Sequence, residues 1–401
     1  MSAWRSAAVA VAALVAVAGC REQLATPGRC PTLCPAGNVQ LADTVLTAAD
    51  VADTSVRGYV LVREASYLLA STLDSLQSVV LLRFNKLDTA WYPGTDTALV
   101  GRQDSVVLSL HVSQRDTTVK QLLLLIYRLP GLLDTASTYA SIRPYFADSQ
   151  LVDTIAVSDT IKGGDSISVR IADSLVIPAA DSGYVSLGIA IAAAGKTAFT
   201  IGSGNSGTVS PGLTFFVEAQ PPLDTLRHSF PLSPYVGFFV MSPPPAQPPP
   251  GLLTLGGIPT ARALLHLSLP SVVVDSNAVV RATLLLNTTG PVGGFAGDSF
   301  YVIAQPVVRD FGVKSVLWPD SSVSGLVKVG QGQGGVVAVD IAPVLRFWGT
   351  TVGDSTPRLL MLRAYPEGSI IGEARFFGRA AGANGPQLRV TYVKPYTFGV
   401  P

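Results

Sequence analysis

Apolar and polar residues alternate in short runs along most of this chain, and Asp-Ser, Asp-Thr, Gly and Pro cut the runs apart. Examples are "SVVLLRF" (78–84), "SVVLSLHVS" (105–113), "SISVRIA" (166–172), "YVSLGIAIA" (184–192), "ALLHLSL" (263–269), "VVRATLLLN" (279–287) and "VVAVDIA" (336–342). Period-two alternation sends successive side chains to opposite faces of a strand, and many such runs at regular spacing predict a sandwich or a barrel. "KQLLLLIYRL" (120–129), apolar at nearly every position, fits a strand buried on both faces or a short buried helix. Almost nothing carries a 3.6-residue period. Composition agrees: Asp outnumbers Glu 22 to 5, and Asp joins Ser, Thr, Gly and Pro in turns, whereas Glu suits helices. The expected class is all-β and antiparallel.

The runs recur along the chain. "PGLTFFVE" (211–218) matches "PQLRVTYV" (386–393) at an offset of 175 residues. Leu82 falls on Leu265 at 183, and Val169 on Val339 at 170. Drift of this size is what loop insertions leave between equivalent strands, and the period is too long for a solenoid. The expected organisation is two β-sandwich domains related by internal duplication, 41–220 and 221–401. The tract "SPPPAQPPP" (242–250) must run extended. Because "PYVGFFV" (234–240) resembles "RGYVLVR" (57–63), the boundary is set near 221 and the proline tract becomes a stiff loop of the second domain.

Residues 1–19 are built like a secretory leader, with Arg5, an apolar stretch from Ala7 to Ala16, and small residues before Cys20. The stretch falls short of the roughly 20 residues that span a bilayer. Val17-Ala18-Gly19-Cys20 resembles the lipobox of bacterial lipoproteins. That resemblance implies a leader cut before Cys20, a Cys20 thiol carrying diacylglycerol, and a flexible tether over 20–40. Each buried methylene contributes about 0.8 kcal/mol, so two or three acyl chains anchor a protein durably. Arg21, rather than Asp, follows the cysteine, which by the same resemblance implies the outer membrane as partner. With Cys20 lipidated, Cys30 and Cys34 of "CPTLC" remain as an even pair, and a short disulfide loop is expected.

The second half, "GLLTLGG…ARALLHLSL…VVRATLLLN…VVAVDIAPVLRFWGT…RLLMLRAYP…GPQLRVTYV", resembles the DNRLRE-type carbohydrate-binding module. The likeness rests on the strand Ala263–Leu269, the Ala282–Leu286 strand, the Asp340–Trp348 element and the closing Pro386–Tyr392. It covers 250–393 well and 57–218 in outline; the closing tyrosine is absent from the first copy, where Val217 follows Phe216. The resemblance implies jelly-roll-like sandwiches and a carbohydrate ligand.

Sugar-binding surfaces stack exposed rings on pyranose faces, each contact contributing about 0.5–1.5 kcal/mol, and exposed rings are sought on loops. Candidates are Trp91 and Tyr92 in "DTAWYPGTDT", then Tyr139, Tyr145 and Phe146 around Arg143 in "STYASIRPYFADS", and Trp318 with Asp320 in "LWPDSS". Trp348 is expected in the core. Catalytic patterns are weak: His111, His228 and His266 stand far apart, and "GQGQGG" (330–335) precedes a strand rather than the helix a dinucleotide site needs. It reads as a hairpin loop. A structural calcium ion could use the abundant Asp, but no DxDxDG loop exists and no metal ligands are assigned. A net charge of +1 with scattered Lys and Arg excludes the basic footprint of a nucleic-acid binder. The reading is a non-catalytic lipoprotein binding glycan or envelope polysaccharide; the alternative is a structural lipoprotein meeting an envelope protein.

Overall fold

The alternating runs form strands in the structure, a computed structural model. It describes residues 41–393 apart from 59–63, 86–89, 92–97, 132–133, 172–183, 207–208, 220–226, 275–278, 311–316, 351–356 and 369. Strands β1 (Leu41–Leu46) and β2 (Val51–Arg57) come first. β3 (Tyr67–Leu73), β4 (Leu76–Asn85), β5 (Ala90–Trp91), β6 (Ala98–Arg115) and β7 (Leu123–Arg128) follow, then helix α1 (Tyr139–Ile142). β8 (Leu151–Ala156), β9 (Ser166–Ile171), β10 (Tyr184–Ala192), β11 (Ala198–Gly202), β12 (Gly212–Ala219), β13 (Arg227–Leu232) and β14 (Val236–Ser242) come next. After the proline tract run β15 (Leu252–Gly256), β16 (Ala261–Leu267), α2 (Ser271–Val274), β17 (Val279–Asn287), β18 (Ser299–Arg309) and β19 (Trp318–Pro319). β20 (Gly325–Gly330), β21 (Val336–Asp340), α3 (Ala342–Thr350), β22 (Leu359–Tyr365), β23 (Glu373–Phe377) and β24 (Gln387–Val393) complete the described elements.

These strands make two assemblies with one pairing scheme. In the first, β9-β6-β12-β13 form one layer and β8-β7-β10-β4-β14 another, while β3 pairs with β11. In the second, β21-β17-β24-β1 and β20-β18-β22-β16-β2 form the layers, while β15 pairs with β23. Taken in chain order, β3, β4 and β6–β12 correspond one by one to β15–β18 and β20–β24. Of the runs aligned by sequence, 78–84 lies within β4, 166–171 is β9 and 212–218 lies within β12, which hold the places in the pairing order that β16, β21 and β24 hold in the second assembly.

The sheets do not divide at 220/221, the boundary expected from the chain. β13 and β14, placed by that boundary in the second domain, complete the first assembly by pairing with β12 and β4. β1 and β2, placed in the first domain, complete the second by joining β24 and β16. The first assembly is therefore contiguous and sits as an insertion between β2 and β15. The proline tract is one of the two crossings, and Gln247 ties it to the other: its Oε1 accepts from Arg57 N at 3.0 Å. Asp43–Tyr392 form one compact unit, and of the remainder only Leu41, Ala42 and Val393 are described.

Inward rows make the cores. Val80, Leu82 and Phe84 of β4 and Leu187, Ile189 and Ile191 of β10 meet Val106, Leu108 and Leu110 of β6 and Leu213, Phe215 and Val217 of β12. In the second assembly Ala263, Leu265, Val302, Ala304, Leu360 and Leu362 are buried from one layer, and Ala282, Leu284, Leu388 and Val390 from the other. "LLLIYR" (123–128) is strand β7, which settles the choice left by its composition. "GQGQGG" is not a hairpin: β20 pairs with β18 and β21 with β17, so the loop arches from one sheet to the other. Helix α3 was unexpected. Ile341, Val344, Leu345 and Trp348 are its buried stripe, spaced at helical i, i+3, i+4 and i+7, and Asp340 Oδ1 accepts from Ala342 N at its start. Trp348 lies in the core, as expected.

Candidate functional site

Each assembly carries a second, smaller apolar cluster on the outer face of its β7/β18-type layer. In the first, Val79, Leu81, Leu129, Phe238 and Val240 are covered by Ile142, Tyr139 and Phe146. The counterpart comprises Val307, Leu317, Leu359 and Met361. The covering residues come in each case from the connection after β7 or β18, where the sequence candidates Tyr139, Arg143, Tyr145, Trp318 and Asp320 lie.

The first of these connections builds a groove. Thr138 caps α1, its Oγ1 accepting from Ser141 N while Ser141 Oγ accepts from Thr138 N, a reciprocal arrangement that satisfies two otherwise orphaned donors. Pro144 then starts a 3-10 turn over Arg143–Tyr145. Tyr139 and Arg143 line a cavity of about 310 Å³ with Gln77, Tyr127, Phe146 and Lys196. Tyr139 Oη donates to Gln77 Oε1 at 3.1 Å. Lys196 Nζ lies 3.1 Å from Asp74 Oδ1, both exposed. Arg143 is exposed. The lining holds two cations and no carboxylate; it is equipped to donate hydrogen bonds to an acceptor-rich ligand beside an aromatic wall. A larger, more apolar hollow of about 440 Å³, with Phe238, Val240, Met241, Pro244 and Pro245, adjoins it across Tyr139.

The aromatic wall depends on a glycine. The rings of Tyr127 and Phe146 sit 4.9 Å apart at 57°. A Cβ on Gly188 would lie 2.6 Å from Phe146 Cζ. Gly188→Ala is therefore expected to push Phe146 outward with the turn that carries Arg143, and to cost about 1–3 kcal/mol as overpacking does. Thermal unfolding, with near-ultraviolet dichroism reporting the displaced rings, checks it. Burial, and then the negative charge of Asp148, push the Tyr127 hydroxyl pKa up, so the phenol stays protonated and able to donate at neutral pH.

The other sequence candidates divide. Tyr145, 39% exposed, lines neither cavity. Trp318 is 59% exposed on β19 and pairs through its backbone with Arg309. Asp320 holds its own turn, accepting from Ser322 Oγ at 2.6 Å and Ser322 N at 2.8 Å; these bonds hold its carboxyl below the usual carboxylate range. Trp91 stands on β5, opposite Ala98. Tyr92, Cys20, Cys30 and Cys34 lie outside the described residues. The structure thus brings Tyr139 and Arg143 together and joins neither to Trp318 nor Asp320. Gln77 and Lys196 were missed, because their part depends on which hairpin end faces α1, and no local pattern records that.

Among the described residues no helix is long and apolar enough to cross a membrane, and no three or more His, Cys, Asp or Glu gather as a metal site would require. No protein-family model matches the chain, and no curated protein matches it in sequence.

Proposed function

We propose that the protein is a non-catalytic, outer-membrane-anchored lipoprotein that binds glycan or envelope polysaccharide in the groove beneath Tyr139. The observation that carries this reading is the convergence of donors (Arg143, Lys196 and Gln77) on a cavity walled by Tyr139, Tyr127 and Phe146. Sugars offer many acceptors and apolar ring faces, and such a mixed lining suits both. The lipobox-like Val17–Cys20 supports the anchor, and the shared pairing order supports an origin of both assemblies in one duplicated sandwich module. The protein-partner alternative needs a broad aliphatic face. The exposed aliphatics Leu41, Val45, Val280 and Val336 share the β1-β24-β17-β21 layer, but exposed Asp43, Arg281, Arg389 and Asp340 stand on the same strands, so that layer is not broadly aliphatic.

The test is titration of the chain from residue 36 onward against a glycan and polysaccharide panel, with Tyr139→Ala and Arg143→Ala alongside. Saturable binding weakened about tenfold or more in each variant, about 1.4 kcal/mol, is expected. Binding indifferent to both substitutions, or none from folded protein, overturns the assignment.

A further inference from the structure

We infer that the second assembly carries a saccharide subsite of its own on the outer face of β20, β18 and β22, formed by Tyr301, Tyr365 and Lys328; this rests on the glycan reading of the first groove. In the register, Tyr301 faces Tyr365 on one side and Lys328 on the other, so the three side chains form one row across three neighbouring strands. Residues directly opposite in an antiparallel ladder project from the same face with Cβ atoms about 4.5–5.5 Å apart. Tyr301 is 40% and Tyr365 49% exposed. Their strand neighbours Val302 and Ala364 are fully buried, so the core is closed without the tyrosines.

The solvated face of an antiparallel sheet is ordinarily polar. Two adjacent exposed rings there contribute nothing to the core and leave apolar surface in water. Neither ring stacks on another aromatic ring among the described residues, and Arg363 lies over one face of Tyr365. Tyr365 is steadied by the Arg363 guanidinium, 5.8 Å from its ring centroid. Arg363 is in turn held by Gln305 Oε1 at 2.9 Å and by Glu367. A row of two phenols flanked by Lys328 offers stacking planes and donors, which is the chemistry of the first groove laid flat. By the strand register Tyr301 and Tyr365 stand where Leu123 and Ala192 stand in the first assembly, on the same outer face as Tyr127 but four positions along, so the row is a separate surface and not the first groove repeated. The occupant is a saccharide chain presenting consecutive ring faces.

The full chain in a non-glycosidic detergent, titrated calorimetrically with cellohexaose, mannohexaose and a hexauronate, tests this. The wild type is expected to bind two equivalents of at least one probe. Tyr301→Ala/Tyr365→Ala should bind one, and Tyr301→Phe/Tyr365→Phe should recover stacking and the second equivalent. Tyr139→Ala/Arg143→Ala should lose the other equivalent. A stoichiometry of one that vanishes in the Tyr139/Arg143 variant and is untouched by the tyrosine pair overturns the second subsite alone. No binding of any probe overturns it together with the glycan reading.

Discussion

Residues 64–243, produced alone, are expected to fold and to unfold in one cooperative transition, whereas 41–220 does not fold. The boundary expected from the sequence, 220/221, gives the second fragment. It ends before β13 and β14, leaving β12 bare along Leu213–Glu218 and β4 bare along Gln77–Arg83. It also keeps β1 and β2, whose partners β24 and β16 are absent. The loss is large. Phe239 and Met241 of β14 sit in the main core, and Phe238 and Val240 in the outer cluster, all buried. At about 1.5–3 kcal/mol per buried side chain, four of them are worth as much as the roughly 5–15 kcal/mol that holds a domain folded. Fragment 64–243 retains every strand of the first assembly. It loses the bonds of Ser66 to Gly368 O and of Tyr67 Oη to Ile370 O, and the packing of Ile258, Phe295 and Ile371. That is an edge of the core, not its centre. Circular dichroism melts and gel filtration of the two fragments decide it. A cooperative melt for 41–220 with none for 64–243 would mean that the exchanged strands are dispensable.

Why the chain revealed the strands but misplaced the boundary has a physical basis. Alternation is local: "ARALLHL" buries Ala261, Ala263, Leu265 and Leu267 while Arg262, Leu264 and His266 lie toward the outer face, and this can be read from seven residues. Partner choice is not local. Nothing within 236–242 says whether β14 joins β4 or β16, because either offers an apolar edge of similar length. The likeness of "PYVGFFV" to "RGYVLVR" points to a segment that opens the second domain, and the pairing of β14 with β4 sends it to the first. The α3 helix was readable, since Ile341, Val344, Leu345 and Trp348 carry the helical period, but the strand signal of "VVAVDIA" runs into it and masks its start. Of the site, Tyr139 and Arg143 were legible as rings and charge in a turn-rich connection. Tyr301 and Tyr365 were not, because a tyrosine within an alternating run reads as core until the sheet shows which face is covered.

Glu367→Gln is expected to destabilise the second assembly by about 3–5 kcal/mol, the range seen when one partner of a buried ion pair is removed. Arg262 on β16 and Arg363 on β22 stand directly opposite in the ladder, a like-charge pairing that destabilises a sheet. Glu367 resolves it. Its carboxylate accepts from Arg262 Nε at 2.6 Å and Nη2 at 2.7 Å, and lies 3.5 Å from Arg363 Nη1. The side chains are only 9–19% exposed, so water screens little of this. Glutamine keeps the shape and one acceptor, yet leaves two facing cations. At about 2–4 °C per kcal/mol for units of this size, melting should fall by roughly 6–20 °C. Part of the loss should return in high salt, which screens the exposed fraction of the Arg–Arg repulsion. A triple change to apolar residues, Arg262→Met/Arg363→Met/Glu367→Leu, should recover most of it, as apolar replacements of buried ion pairs do. A melting point within 1 °C or so of the wild type would show that the arginines find water by turning outward. The same loosening frees Arg363 from its place over Tyr365. Binding at the tyrosine row should therefore weaken in Glu367→Gln while binding at Tyr139 is unchanged, which links the stability of this layer to the surface it presents.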